Sequence, residues 1–493
     1  PANASNQSVT WHSSNPSVAT AVYGVVTPIA AGTVDLTLTT TDGGFTDTCF
    51  VTVSDQSSDS DNHGDSGSGR NNSNNDKNST PNNISINGQE QQGLGTTVTT
   101  YENGQTVTTV TVDQRQIEQA LESKGSNAVV SISANAESDK VIGELNGQTV
   151  KSMEQKQAVL NVSTGDASYT LPAAQINIES VSKQIGQQVE LKDIKVTVEV
   201  SKTPDETVRV IENDSERGGY TIIAPPVSFN ITCTYGDKTI QVDQFNSYVE
   251  RTIAIPEGVD PQKITTGVIV NPNGTVSHVP TKIVVIDGKY YAKINSLTNS
   301  TYSVIWNPAV FSDVTNHWAK EPVNEMGSRK VIGGIGENKF APDREITRAE
   351  FASITMRALG LMENNNNSAF KDVKESDWFS GAVSKTNEYG LISGYTDGTF
   401  RPNNKITREE AMAIISKAMN LVGMDTDTTD TETQLAGFKD RDRIGGWAKD
   451  AVAVCIKYNV IKGTNQMLNP KENITRAETA AIVMRLLQEA GLI

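Results

Sequence analysis

Three arginines stand where elementary electrostatics disfavours a cation. The stretch Ile346-Thr347-Arg348-Ala349-Glu350 returns as Ile406-Thr407-Arg408-Glu409-Glu410 and again as Ile474-Thr475-Arg476-Ala477-Glu478. Thr followed three residues later by Glu is a capping box, so each copy marks a helix start with Thr at the N-cap and Arg at the first helical position. The first turn carries the positive end of the helix dipole and favours acids. Free backbone amides and a planar guanidinium converging there make a ready site for an anion. The plainer alternative is a solvated or salt-bridged helix start.

Stepping outward from these arginines, a second block repeats with them. Phe311-Ser312-Asp313-Val314, Phe370-Lys371-Asp372-Val373 and Phe438-Lys439-Asp440-Arg441 lead to Trp318, Trp378 and Trp447. An amphipathic run follows each Trp; in the third copy Trp447, Ala451, Val454, Cys455 and Tyr458 fall on one helical stripe. A short apolar-Gly turn comes next, carrying Gly334, Gly394 and Gly463, then an aromatic or leucine and a proline before the capping box. The helix after the box is strongly apolar, as in Ala411, Met412, Ile414, Ile415, Ala418, Met419 and Val422. Each repeat therefore reads as helix, Gly turn, short extended piece, helix. None is large enough to bury its own apolar face, so the three are expected to pack as one unit.

Residues 311–493 resemble three surface-layer homology repeats, the module that holds exported proteins of Gram-positive bacteria on the cell wall. The order Asp, Trp, Gly, Pro, Ile-Thr-Arg, Glu runs through the copies, as Trp-Ala and Ile-Thr-Arg-Ala-Glu in the first and third. The resemblance implies an all-α, pseudo-threefold bundle with grooves between neighbouring repeats that bind a secondary cell-wall polysaccharide through its pyruvylated amino-sugar. It assigns anion recognition to Arg348, Arg408 and Arg476. It puts Asp313, Asp372 and Asp440, the three tryptophans, and Gly334, Gly394 and Gly463 on the groove walls. A pyruvate ketal is a carboxylate on a sugar, which suits the helix end deduced above. Trp offers a broad apolar face for a sugar ring and an indole N–H for its hydroxyls. The alternative for Trp and Phe is core packing, and for Asp a cap on the first helix. The second copy keeps Gly394-Tyr395-Thr396-Asp397-Gly398-Thr399-Phe400 intact, whereas the third has Lys462-Gly463-Thr464 and Leu468. The second groove is thus expected to be the best formed, and the one built on third-repeat turn residues the least.

The remaining chain narrows the function. There are 42 Lys and Arg against 58 Asp and Glu, a net charge of −16. With no basic stripe, nucleic acid is not an expected partner. An acidic protein gains nothing from long-range attraction to an anionic polymer, so wall binding must come from short contacts in grooves. Cys49, Cys233 and Cys455 lie apart with no CxxC spacing, which does not describe a disulfide-stapled fold. No apolar run approaches a membrane span. The four histidines (His12, His63, His278 and His317) are scattered singly, so no metal site and no cofactor is expected. Gly64-Asp65-Ser66-Gly67 matches the string around a serine nucleophile, but its Ser-Asn-Asp-Gly-rich surroundings offer no scaffold for a triad.

Residues 1–54 carry a Trp11…Pro16…Val18-Ala19 run and a closing Thr48-Cys49-Phe50-Val51-Thr52-Val53 strand. They resemble a bacterial immunoglobulin-like domain lacking its opening strands, with Trp11 as a sandwich core residue. Residues 55–95 read as a disordered linker. Residues 96–309 read as a mainly-β module, a sandwich region of one or two subdomains, with a hairpin at Asn103-Gly104 and a helix capped by Asp113. The repeats then occupy 310–369, 370–437 and 438–493. The whole is expected to be the C-terminal part of a longer, exported, non-catalytic wall anchor located outside the cell, in the wall or surface layer. Two other readings stand beside it: a lattice-forming surface-layer protein, and the tail of a wall-bound glycoside hydrolase.

Overall fold

The computed structural model describes residues 9–22, 25–30, 32–40, 46–53, 83–134, 138–186, 189–363 and 368–493. They belong to two compact units, one of residues 1–202 with 229–243, the other of residues 203–228 with 244–493. His63 and Ser66 lie outside the described residues.

The first unit opens with an antiparallel ladder in which Val9–Ser13 pairs with Gly32–Thr40 and that strand with Thr46–Val53. Trp11 packs on a core of Val18, Ala19, Val34, Leu36 and Val51, as the sequence implied. The expected linker ends earlier than residue 95: Ile84–Ile86 already pairs with Val130–Ile132. Strands Gly95–Glu102 and Gln105–Val112 form the hairpin, with φ of 51° at Asn103 and 79° at Gly104, the left-handed pair that a type I′ turn demands. Helices α1 (Gln114–Lys124), α2 (Gly147–Gln155) and α3 (Ile178–Ile185) are capped by Asp113, Asn146 and Asn177.

The sandwich expectation needs correcting in this stretch. Gln105–Val112 runs parallel to Lys140–Asn146, and Val129–Ser133 parallel to Val159–Ser163. Parallel neighbours require crossover connections, and α1 and α2 lie in them.

In the second unit α4 (Asp205–Gly218) precedes two short ladders. Residues 221–228 pair with Thr301–Trp306, which continues through Thr266–Val270 to Val276–Val279. Lys289–Thr298 lies between Gln244–Ala254 and Thr281–Ile286. The repeats follow as α5 (Lys320–Ser328) and α6 (Arg348–Ala358), α7 (Ser380–Glu388) and α8 (Arg408–Leu421), then α9 (Thr431–Leu435), α10 (Lys449–Lys457) and α11 (Arg476–Glu489).

Each long helix packs on the short helix of the next repeat, α6 on α7, α8 on α10 and α11 back on α5, so the three repeats close on themselves. At the centre the Ile346 amide donates to the Ile474 carbonyl (3.0 Å), Ile474 to Ile406 (3.0 Å) and Ile406 to Ile346 (3.3 Å). This cycle explains why the isoleucine before each capping box recurs: its side chain is fully buried while its backbone joins the repeats. The first repeat also rests on the β ladders of its own unit. Tyr248 donates to the Leu359 carbonyl at 2.8 Å, and the Arg329 guanidinium to that of Thr281 at 3.1 Å.

Candidate functional site

The helix entrances are closed from within. All three capping boxes form. The next two amides, expected to be open to a ligand, reach the neighbouring repeat instead. Arg348 N–H donates to Asn404 and Ala349 to Pro402; Arg408 to Glu472 and Glu409 to Pro470; Arg476 to Arg344 and Ala477 to Pro342, all at 2.9–3.1 Å. With those amides paired, no helix start retains the donors that attract an anion.

The arginine side chains follow the same cycle. Arg348 Nε donates to the Phe400 carbonyl (2.9 Å), Arg408 Nε to Leu468 (2.8 Å) and Arg476 Nε to Phe340 (2.9 Å). Arg348 Nη1 meets Glu410 at 3.2 Å, Arg408 Nη1 pairs with Glu478, and Arg476 Nη1 stands 3.9 Å from Glu350. Each glutamate gives one oxygen to its own capping box and the other to the preceding repeat's arginine. Burial pushes Glu350 upward, but the Thr347 amide and the Arg344 guanidinium hold it below its ordinary value. The salt-bridged helix start, weighed as the plainer alternative, is what the fold contains. A cation at the first helical position is tolerated because a carboxylate of the adjoining repeat neutralises it.

The aspartates act as turn clamps, not as caps on the first helix. Asp313 accepts the Phe340 and Ala341 amides, Asp372 those of Phe400 and Arg401, and Asp440 those of Leu468 and Asn469. The second residue of each pair has a left-handed backbone, with φ of 57°, 57° and 52°. A two-pronged carboxylate clamp offsets the cost of that conformation. Asp440 is only 4% exposed, which leaves it no surface for a sugar. The turn glycines are required by packing. A Cβ on Gly334, Gly394 or Gly463 would lie 2.9 Å or less from the ring of Phe311, Phe370 or Phe438 and from a turn carbonyl.

The tryptophans behave oppositely. Trp318, Trp378 and Trp447 are 62%, 65% and 63% exposed, so core packing does not explain them. Trp447 is off the stripe assigned to it; Val452, Ala453, Val454 and Cys455 form the buried side of α10. Trp318 of the first repeat forms one wall of a cavity of about 350 Å³. Arg408 of the second repeat and Lys462, Gly463, Thr464, Glu478 and Arg485 of the third complete it. Every repeat contributes to this one groove, and its volume is that of a small-ligand site.

The groove stands on the turn expected to be the poorest. The reason is side-chain size. In the second repeat Tyr395 hydrogen-bonds Glu410 at 3.0 Å and lies 4.9 Å from the Arg348 guanidinium, so its ring stands against the matching Arg–Glu pair. Thr464 occupies that position in the third repeat and leaves it open. A shallower cavity of about 380 Å³ on the first-repeat turn includes Gly333, Gly334, Lys330 and Arg357.

One set of groove residues escaped sequence reasoning. Nine positions after each first-turn arginine stands another cation: Arg357, Lys417 and Arg485. Each reaches its own turn, Arg357 Nε donating to Val331 (2.8 Å), Lys417 to the Ser393 hydroxyl (3.3 Å) and Arg485 Nη1 to Val460 (3.3 Å). Aligning the copies past the capping box would have shown the recurrence.

Comparison with known proteins agrees with this geometry. Residues 310–352, 369–412 and 437–480 match the S-layer homology domain, and residues 1–51 match the group 2 bacterial Ig-like domain. The chain is 35% identical over 175 residues to a cellulosome-anchoring protein of Acetivibrio thermocellus, covering 32% of this chain and 38% of that protein. It is 31% identical over 245 residues to an amylopullulanase of Thermoanaerobacterium thermosulfurigenes (49% and 13%), and 27% identical over 183 residues to the S-layer protein sap of Bacillus anthracis (37% and 22%). The chain thus spans well under half the length of these relatives. Among the described residues no helix is long and apolar enough to cross a membrane. The chain carries three S-layer homology repeats, together with a group 2 bacterial Ig-like domain, and these place it among extracellular proteins of the cell wall and surface layer.

Proposed function

We propose that the three-repeat bundle is a non-catalytic wall anchor that binds secondary cell-wall polysaccharide in its inter-repeat grooves, recognising a pyruvylated amino-sugar. The observation that carries this reading is the three-repeat cavity with an exposed tryptophan on its wall. A large indole held open to solvent on a closed bundle is costly unless a ligand covers it, and sugar rings present the flat C–H faces that indole takes. Trp378 and Trp447, equally exposed, are assigned by the repeat order to the other two grooves. Gly463 lines this cavity and Gly334 the first-repeat one, with Gly394 at the matching position of the second turn, and Arg408 lies on the wall beside Glu478. Arg348, Arg476 and the three aspartates support the site by fixing the repeats and turns that shape it. Joining several weak grooves in one rigid body raises avidity.

The test is sedimentation of the full chain with purified wall polysaccharide, intact and stripped of pyruvate. Binding to the intact polymer that is lost when Trp318, Trp378 and Trp447 are replaced by Ala, with an unchanged melting curve, is the expected result. Equal binding by the triple variant would overturn the reading. Equal binding to the stripped polymer would remove the pyruvyl group as determinant.

A further inference from the structure

The cavity on the third-repeat turn has a charge pattern that the first-turn arginines do not explain. Arg408 lies on its wall but is already paired with Glu478. The two contribute no net charge to a ligand. Two other cations line the same cavity, Lys462 and Arg485. Among the described residues neither has a carboxylate within ion-pair distance. Arg485 spends a single N–H on the Val460 carbonyl, leaving most of the five donors of a guanidinium unspent. Burial alone depresses it, with no acid acting in the other direction, whereas its counterpart Arg357 feels Glu363. A half-buried guanidinium without a counter-ion, opening into a cavity rather than onto bulk solvent, is a site short of an anion.

The turn sequence strengthens the pattern only here. The position of Lys462 is Gly333 in the first repeat and Ser393 in the second. The third groove therefore holds two uncompensated cations on one side and the exposed face of Trp318 on another. That combination matches a sugar ring bearing a carboxylate: the ring on the indole, the acid on the guanidinium.

We infer that Arg485, with Lys462 at the rim, takes the acidic group of the wall glycan in the third-repeat groove, and that Arg408 does not. This rests on the reading of the grooves as glycan sites. It is tested in the full chain carrying Trp378→Ala and Trp447→Ala, which leaves the third-repeat groove as the intact one. The probes are wall polysaccharide and the same polymer with its carboxylates reduced to alcohols, followed by calorimetry.

Arg485→Gln is expected to weaken binding of the acidic polymer roughly tenfold or more, the loss of a charge-assisted contact. Lys462→Gln should weaken it less, Arg485→Lys should retain most of it, and the reduced polymer should bind the parent and Arg485→Gln alike. Unchanged affinity in both Arg485→Gln and Lys462→Gln would overturn the inference while leaving the glycan reading intact. No binding by the unsubstituted chain would overturn both. Should Arg485→Gln lower the melting temperature, the surface substitution Lys462→Gln and the reduced polymer still decide. A preference for the acidic polymer that survives Lys462→Gln, and that Arg485→Lys abolishes, counts against charge capture.

Discussion

The centre of the repeat bundle and its rim use the same residue types for opposite ends. At the centre, Arg348 and Arg476 are buried and Arg408 is half-buried against the cavity wall, all three are matched by glutamates, and the amides around them reach the next repeat. At the rim, Trp318, Trp378 and Trp447 are exposed, and Lys462 and Arg485 face a cavity. An arginine recurring in register is not in itself a sign of ligand binding. Three copies that must close into a cycle need recurring contacts, and such residues recur as faithfully as binding residues do. Solvent exposure and the lack of an internal counter-ion separate the two classes.

The largest effect should come from breaking the centre. Arg348→Ala leaves Glu410 without its cation and should cost about 3–5 kcal/mol, read as a lowered midpoint in urea. Replacing all three arginines should unfold the bundle, so any loss of glycan binding would accompany loss of helix signal by circular dichroism. A soluble, fully helical triple variant that fails to bind would break the comparison by making these arginines ligand groups. Removing the three rim tryptophans should do the reverse: a loss of glycan affinity of tenfold or more, with stability changed by about 0.5 kcal/mol or less per site.

A smaller effect sharpens the contrast between grooves. Thr464→Tyr should put beside Arg408 and Glu478 the ring that Tyr395 puts beside Arg348 and Glu410, and so close the third groove. With Trp378 and Trp447 replaced by Ala, that should abolish the remaining binding, and in the unsubstituted chain it should lower the number of sites by one. Calorimetric stoichiometry checks this. The smallest effect expected is on acidity. The folded chain holds Glu350 below its ordinary value, so its contribution is present above that value and fades as pH falls through the carboxylate range. Melting curves at pH 7 and pH 3.5 should show the unsubstituted chain losing more than Glu350→Gln, which lacks that contribution at both.

Much of this architecture is legible along the chain because it is local. A Thr and a Glu three residues apart fix a helix start, Asn103-Gly104 fixes a hairpin, and the repeats announce a bundle whose grooves lie between copies. What the chain does not display is which distant group meets each first-turn arginine. Glu410 lies sixty-two residues beyond Arg348, and only closure of the cycle makes them neighbours. The clamp of Asp440 on Leu468 and Asn469 is hidden for the same reason. The open third groove depends on an absence, Thr464 where a tyrosine would fit, which looks in sequence like a departure from the pattern. Parallel pairing in the middle region was missed because alternating apolar residues mark a strand without marking its partner's direction.

On the proposed reading the rim, not the centre, meets the glycan. Acrylamide quenching of tryptophan fluorescence tests it most directly, since the rim indoles dominate the accessible signal. Saturating the chain with wall polysaccharide should cut quenching sharply, and the cut should vanish when Trp318, Trp378 and Trp447 are replaced by Phe. Polysaccharide that binds at full affinity while leaving those indoles as accessible as before would contradict the account.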